Sequence, residues 1–240
     1  MLRTSNFHGL TAQGSYTYGH ALDVISGTRG LAPQDSTNLG GEYGNSDFDV
    51  AHTFNGYIVY EVPKFTDRMK LLTSGWQANA FITAFTGTPV AVKLGSVDNS
   101  GTGEFQDRPN QIGNPTAGVN RTLITPTSGA PYEQWFTSAA FAPAPAGSFG
   151  TLHRNVFRGP AFATVDAAVV KNTIIHEGIN LQLRAEMFNL FNRTNLANPG
   201  VGTLSSSTFG RSTSTRNNGG APGIGPGEPF NVQLAGKIIF

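Results

Sequence analysis

Apolar and polar positions alternate with a period of two in six stretches of this chain. In residues 9–18, Leu10, Ala12, Gly14, Tyr16 and Tyr18 alternate with Thr11, Gln13, Ser15 and Thr17. In 53–62, Phe54, Gly56, Ile58, Tyr60 and Val62 oppose Asn55, Tyr57, Val59 and Glu61. In 75–86, Trp76, Ala78, Ala80, Ile82 and Ala84 oppose Gln77, Asn79, Phe81, Thr83 and Phe85, a weaker contrast because two Phe fall in the polar class. In 162–172, Val165, Ala167 and Val169 oppose Thr164, Asp166 and Ala168, and in 178–191 Ile179, Leu181, Leu183, Ala185 and Met187 oppose Asn180, Gln182, Arg184 and Glu186. The last stretch, 230–240, sets Phe230, Val232, Leu234, Gly236, Ile238 and Phe240 against Asn231, Gln233, Ala235, Lys237 and Ile239. A period of two with one apolar class describes a strand with two unlike faces.

Each stretch is roughly 9 to 13 residues long. Globular strands cluster near about 5 to 6 residues, whereas crossing a bilayer at a tilt takes about 9 to 11. The connections 19–52, 63–74, 87–161, 173–177 and 192–229 run long, short, long, short, long. Outer-membrane barrels join their strands by short periplasmic turns and longer extracellular loops. A terminal strand ending on an aromatic residue is also typical of them. With the C-terminus periplasmic, counting back puts the N-terminus in the periplasm as well. The same orientation predicts two aromatic girdles on the outward face: Tyr18, Phe54, Phe191 and Phe230 at the outer rim, and Tyr60, Trp76 and Phe240 at the periplasmic rim.

Composition agrees with a turn-rich all-β chain: 30 Gly and 14 Pro accompany only 13% charged residues. The absence of Cys rules out a disulfide framework and thiolate metal sites. A net charge of +1 without a Lys/Arg run offers no footprint for nucleic acid. No stretch approaches the roughly 18 consecutive apolar residues of a membrane helix. A mean hydropathy of -0.18 does not argue against a barrel, whose two faces average out. Residues 1–9 have neither the apolar core nor the cleavage site of a signal peptide, so the expectation is a cytosolic protein or the tail of a longer chain.

The long connections are rich in Gly, Pro, Asn, Ser and Thr, as in 205–227, and are expected to be mobile loops. The exception is 130–162, where Tyr132, Trp135, Phe136, Phe141, Phe149 and Phe157 have enough apolar surface to fold the loop over itself or plug a mouth.

Catalytic chemistry is not expected. His8, His20, His52, His153 and His176 lack ligand spacing, and no HExxH or paired-carboxylate pattern occurs. The run from Asp98 to Glu104 resembles the start of a calcium loop, but Pro109 stands at the twelfth position, where a bidentate Glu belongs, so a polar turn is the expectation. Gly223-Ile-Gly-Pro-Gly lacks the strand-to-helix setting of a phosphate cradle. Asp166, Arg184, Glu186 and Lys237 are candidates to face the lumen, lining a substrate path or forming a solvated wall; Lys171 fits that face poorly and is expected to snorkel at the periplasmic rim. No metal, cofactor or catalytic residue is assigned. The competing all-β reading is a secreted β-sandwich binding module, its apolar faces closed against each other.

Three segments in order carry a family resemblance: Gly75 to Pro89, Gly150 to Asn172, and Leu183 to Pro199, followed by the terminal strand ending in Phe240. Their succession resembles the C-terminal end of TonB-dependent receptors of the Oar-like type, which carry a carboxypeptidase-regulatory-like domain. The resemblance implies a plugged barrel of about 22 strands that takes up a substrate with energy delivered through TonB. Residues 1–240 then correspond to the C-terminal part of that barrel, a fragment with Met1 internal, since the family's N-terminal domain, TonB box and plug have no counterpart here. The implied partners are outer-membrane lipid, the remaining strands and plug of a parent chain, TonB through that parent, and the barrel-assembly machinery, which would read Phe240, Ile238 and Leu234. An open six-stranded sheet leaves backbone groups unpaired along two edges, each costing several kcal/mol in hydrocarbon. Such a sheet is not expected to insert alone.

Overall fold

The computed structural model describes residues 1–26, 33–64, 69–216 and 229–240, apart from the side chains of Ser5 and Lys70. Seven strands form one antiparallel sheet in which every strand pairs with its neighbours in the chain. They are β1 (Leu2–Phe7), β2 (Leu10–Tyr18), β3 (His52–Glu61), β4 (Trp76–Phe85), β5 (Phe162–His176), β6 (Ile179–Phe188) and β7 (Asn231–Ile239). The sheet does not close, so β1 and β7 are its edges.

Six strands were expected, and β1 is the addition. It is short, and its register with β2 shifts between Thr4 and Phe7, where Asn6 takes a positive φ. His8 and Gly9, at φ 49° and 82°, make the two-residue turn that returns the chain into β2. Two successive positive φ values match the twist of flanking strands. Gly9 has a second reason to lack a side chain: a Cβ there would lie 2.6 Å from the Glu61 carbonyl oxygen. Because β1 runs opposite to β2 and begins with Leu2 beside Gly14, Met1 lies part-way up the sheet rather than at the end carrying the short turns.

Other boundaries move less. β5 runs on to His176, so its connection to β6 shrinks to Glu177 and Gly178, and β6 ends at Phe188 before an Asn-rich turn. With β1 included, the connections alternate strictly: 8–9, 62–75 and 177–178 at one end of the sheet, 19–51, 86–161 and 189–230 at the other.

Register unites the apolar classes of the separate strands on one face. Leu10 pairs with Tyr60, Tyr60 with Ala78, Ala78 with Val169, Val169 with Ala185 and Ala185 with Leu234. One residue of slip at any interface would turn a strand's apolar set to the other face. From β2 to β7 the one register shift lies beside the 177–178 turn, between Ile174 and His176, beyond the span these pairs cover. The united face is open: Leu183 is 50% exposed, Val232 55% and Leu234 77%. Water disfavours a contiguous apolar surface of this kind by about 25 cal/mol per Å², whereas hydrocarbon does not. The sandwich alternative fails here, because these strands make one sheet and, among the described residues, no second sheet covers their apolar face.

Among the described residues, the connections outside 130–162 depart from the expectation of mobile loops and pack with 130–162, the segment with enough apolar surface to fold over itself. Val90, Val92, Phe136, Ala140, Phe141, Leu152, Val201 and Phe209 form a buried core contributed by the second and third long connections. Short antiparallel pairs tie the body together, with Phe157 beside Val90, Ala142 beside Asn110 and Arg211 beside Gln134. Gly and Ser dilute the apolar residues along the chain, but folding gathers residues far apart in sequence into one core.

Candidate functional site

The loop body holds its charges inside. Arg108 donates from Nη1 to Glu42 Oε2 at 2.7 Å, from Nε to the Leu152 carbonyl at 2.8 Å, and its main-chain N–H meets Gln34 Oε1 at 2.8 Å. Gln34 completes the arrangement by donating its backbone N–H to Glu42 Oε1 at 3.0 Å and its side-chain amide to the Gly150 carbonyl at 3.2 Å. Arg154 pairs with Asp23 at 2.6 Å and lies 3.5 Å from Asp47, while Arg158 pairs with Asp49. Asn45 and Asn155 exchange side-chain to backbone hydrogen bonds at 2.8 and 2.7 Å. The first long connection is thereby fastened to the second.

These contacts set the ionisation of two carboxylates. Burial alone would raise Asp23, but hydrogen bonds from Ser46, Arg154 and Ser26 and the Arg154 charge outweigh it and hold the group below the ordinary carboxylate value. For Asp49, burial is likewise outweighed, by the Ala21 N–H, the hydrogen bond and charge of Arg158, and the charge of His20.

Between the two fastened connections lies a pocket of about 200 Å³ whose lining includes Lys93, Gln106, Glu42, Arg108, Arg154 and Asn155. Both arginines are matched by carboxylates. Lys93 Nζ instead donates to the neutral Gln106 Oε1, and burial is the main influence pulling its pKa below the usual lysine value. Among the described residues Lys93 forms no ion pair, and Asp47 and Glu42 act on it only at longer range.

The four charges expected to face the lumen share the sheet face opposite the apolar one. Asp166 pairs in register with Phe81, Ala168 with Glu186, Val170 with Arg184, and Gln182 with Lys237. They do not converge on one point. Arg184 and Glu186 form an ion pair at 2.6 Å, and Asp166 accepts the Asn189 N–H at 2.8 Å, closing the turn after β6. Lys237 is exposed on β7.

Lys171 lies on the apolar face, directly across from Trp76, with Nζ 5.6 Å from the indole centroid and donating to the Ser74 carbonyl. Trp76 Nε1 donates to the Leu72 carbonyl at 2.7 Å, so both side chains fasten the turn between β3 and β4. Leu71 and Leu72 of that turn are exposed beside them.

The expected aromatic residues lie at the ends of the strands. Tyr18 and Phe54 stand at the end with the long connections, joined by Tyr16, which pairs with Phe54. Phe191 and Phe230 flank the connection between β6 and β7, and the Phe230 N–H meets Asn192 Oδ1 at 3.0 Å. Tyr60 and Trp76 stand at the opposite end, where Phe7 also opens to solvent. Phe240 follows β7 at 98% exposure, two residues beyond Ile238 on the face of Leu234.

Sequence reasoning missed the loop ion pairs, whose partners are 66, 131 and 109 residues apart. No local spacing announces them. Among the described residues no three His, Asp or Glu side chains gather to hold a metal ion. Gly223-Ile-Gly-Pro-Gly lies outside the described residues, as does most of the second half of the Ser-rich segment. No helix among the described residues is long and apolar enough to cross a membrane, a statement that leaves strands untouched.

No curated protein and no solved structure matches the chain. Residues 1–233 match a family model described as an outer membrane beta barrel domain. The open sheet, with one exposed apolar face, short turns at one end and long connections at the other, is consistent with part of such a barrel. The chain belongs to the outer membrane beta barrel domain family and is located in the bacterial outer membrane.

Proposed function

We propose that the chain supplies barrel wall and the outer ligand-contacting loops of a TonB-dependent receptor of the Oar-like type, which takes up a substrate from outside the cell. The observation that carries this reading is the loop body. A barrel serving only as an anchor has no use for long connections fastened by buried ion pairs around a pocket with an available cation. The ordered motifs from Gly75 to Pro89, Gly150 to Asn172 and Leu183 to Pro199 add the family resemblance.

On this reading the polar face, with Arg184, Glu186, Asp166 and Lys237, borders the lumen and a plug supplied by the parent chain. Further strands of that parent pair with the edges of β1 and β7. Lys93 meets an anionic group of the substrate. TonB acts through the plug, and the barrel-assembly machinery reads the end of β7. No catalytic step is assigned to the chain.

The test compares three strains on a panel of nutrients: wild type, one lacking the gene, and one lacking TonB. A growth or uptake defect of the gene deletion that loss of TonB reproduces, and that Lys93→Gln partly reproduces, supports energised uptake. A defect that persists only where TonB is irrelevant overturns it.

A further inference from the structure

The segment between Leu94 and Asp107 is a closed loop, its ends joined by the Leu94 N–H and the Asp107 carbonyl at 2.9 Å. Its centre is the Asp98 carboxylate. Oδ1 accepts from the N–H groups of Gly101 and Thr102, both at 3.1 Å, and from Ser100 Oγ at 3.3 Å, while Oδ2 accepts from the Gly103 N–H at 2.9 Å. Ser100 Oγ lies 3.0 Å from Thr102 Oγ1. Oxygens from the first, third and fifth residues thus gather on one side, and Gly103, sixth in line with φ at 79°, makes the sharp turn that this spacing needs.

Loop geometry alone is no site. The second observation is Asp107, only 1% exposed, whose Oδ2 accepts from the Ser100 N–H at 2.7 Å and whose Oδ1 has no hydrogen-bond partner. Glu104, in the same loop, buries a second such oxygen, Oε2. Among the described residues, no Lys or Arg forms an ion pair with Asp98, Glu104 or Asp107. A carboxylate oxygen sealed from water without a donor is strongly disfavoured unless a cation faces it.

We propose that this loop binds a calcium ion through Asp98, Ser100, Thr102 and Asp107. The donors are all oxygen, which selects a hard cation over zinc or copper. Two hydroxyls and two carboxylates on a flexible loop suit the irregular shell of calcium better than the strict octahedron of magnesium. Pro109, which spoke against a calcium loop in the linear pattern, does not matter, because Asp107 folds back onto Ser100 and brings its carboxylate from the tenth position.

The ion would also act on the pocket. Asp107 stands between Gln106 and Arg108, both in the pocket lining, and Asn99 holds the 144–148 segment through the Ala144 carbonyl at 2.9 Å and the Gly147 N–H at 2.8 Å. Calcium at Asp98 would therefore hold the wall that positions Lys93 and Arg108.

The test uses the full gene product, extracted from outer membranes into detergent and stripped with a chelator. Titration calorimetry with calcium chloride and hydrogen exchange over residues 98–107 are the readouts. Binding is expected in the range of about 0.1 to 1 mM, typical of extracellular modules, with slowed exchange in the loop. Asp98→Asn and Asp107→Asn each weaken it roughly tenfold or more, as expected when a charged ligand is lost. Thr102→Val, at an exposed position, weakens binding while leaving exchange elsewhere unchanged. Absence of binding at several millimolar calcium, wild-type affinity in both Asp variants, or equal protection by magnesium would overturn the proposal.

Discussion

Arg108 and Glu42 face each other across 2.7 Å with side chains only 8% and 5% exposed, although 66 residues separate them in sequence. Removing one partner of such a pair leaves a buried charge uncompensated, at a cost of about 3–5 kcal/mol. Arg108→Met is expected to loosen the loop body, visible as faster proteolysis and hydrogen exchange in 33–51 and 86–161, while the heat-modifiable gel shift of the barrel persists. The double variant Arg108→Met with Glu42→Met should recover most of the protection, because no charge is left stranded.

Asp23 and Asp49 both titrate below the ordinary carboxylate value of 3.8 in the folded loops. A carboxyl with a depressed folded pKa contributes stability that is full above the unfolded value and is lost as pH falls through the folded one. Loop docking should therefore be flat from neutral pH down to about 4 and weaken only below it. Exchange rates in 19–26 and 44–51 measured against pH check this; a transition near pH 6 would assign docking to another group.

The chain has two tryptophans, one on the apolar sheet face and one in the loop body. In bilayers of brominated lipid, Trp76 fluorescence should be quenched in a Trp135→Phe background, and Trp135 fluorescence should not be quenched in a Trp76→Phe background. Equal quenching of the two would contradict a lipid-facing apolar stripe.

Gly75 carries φ at 76°, and a Cβ there would lie 2.1 Å from the Asn172 carbonyl oxygen. Gly75→Ala should cost more than about 1 kcal/mol and break the 2.8 Å bond from the Asn172 N–H to the Gly75 carbonyl. A lowered temperature for the gel-shift transition is the expected readout.

Phe240 is almost wholly exposed beyond β7 and stands in line with Ile238 and Leu234. If the assembly machinery reads this end, deleting Phe240 from the full gene product reduces its outer-membrane level while synthesis is unchanged. Unaltered membrane levels would remove that role from the residue.

Six of the seven sheet strands were legible because a two-faced strand writes its faces into successive residues. β1 was not, since Leu2 and Thr4 contrast weakly with Arg3 and Asn6 breaks the alternation at the register shift. Lys171 was recognised as out of phase, and its place beside Trp76 at the turn accounts for it. The likeness of the run from Asp98 to a calcium loop was legible, whereas the return of Asp107 onto the Ser100 N–H, a tertiary contact, was not.

Local alternation and the order of long and short connections were enough to specify an antiparallel wall and the end at which its loops gather, because both depend on neighbours in the chain. Whether the loops were slack or folded depended on contacts such as Arg154 with Asp23 and Phe141 with Phe209, between residues far apart along the backbone. Glycine- and serine-rich composition measures only the entropy that ordering must overcome. Buried charge pairs and a shared aromatic core, which offset that entropy, exist only once distant segments have met in space.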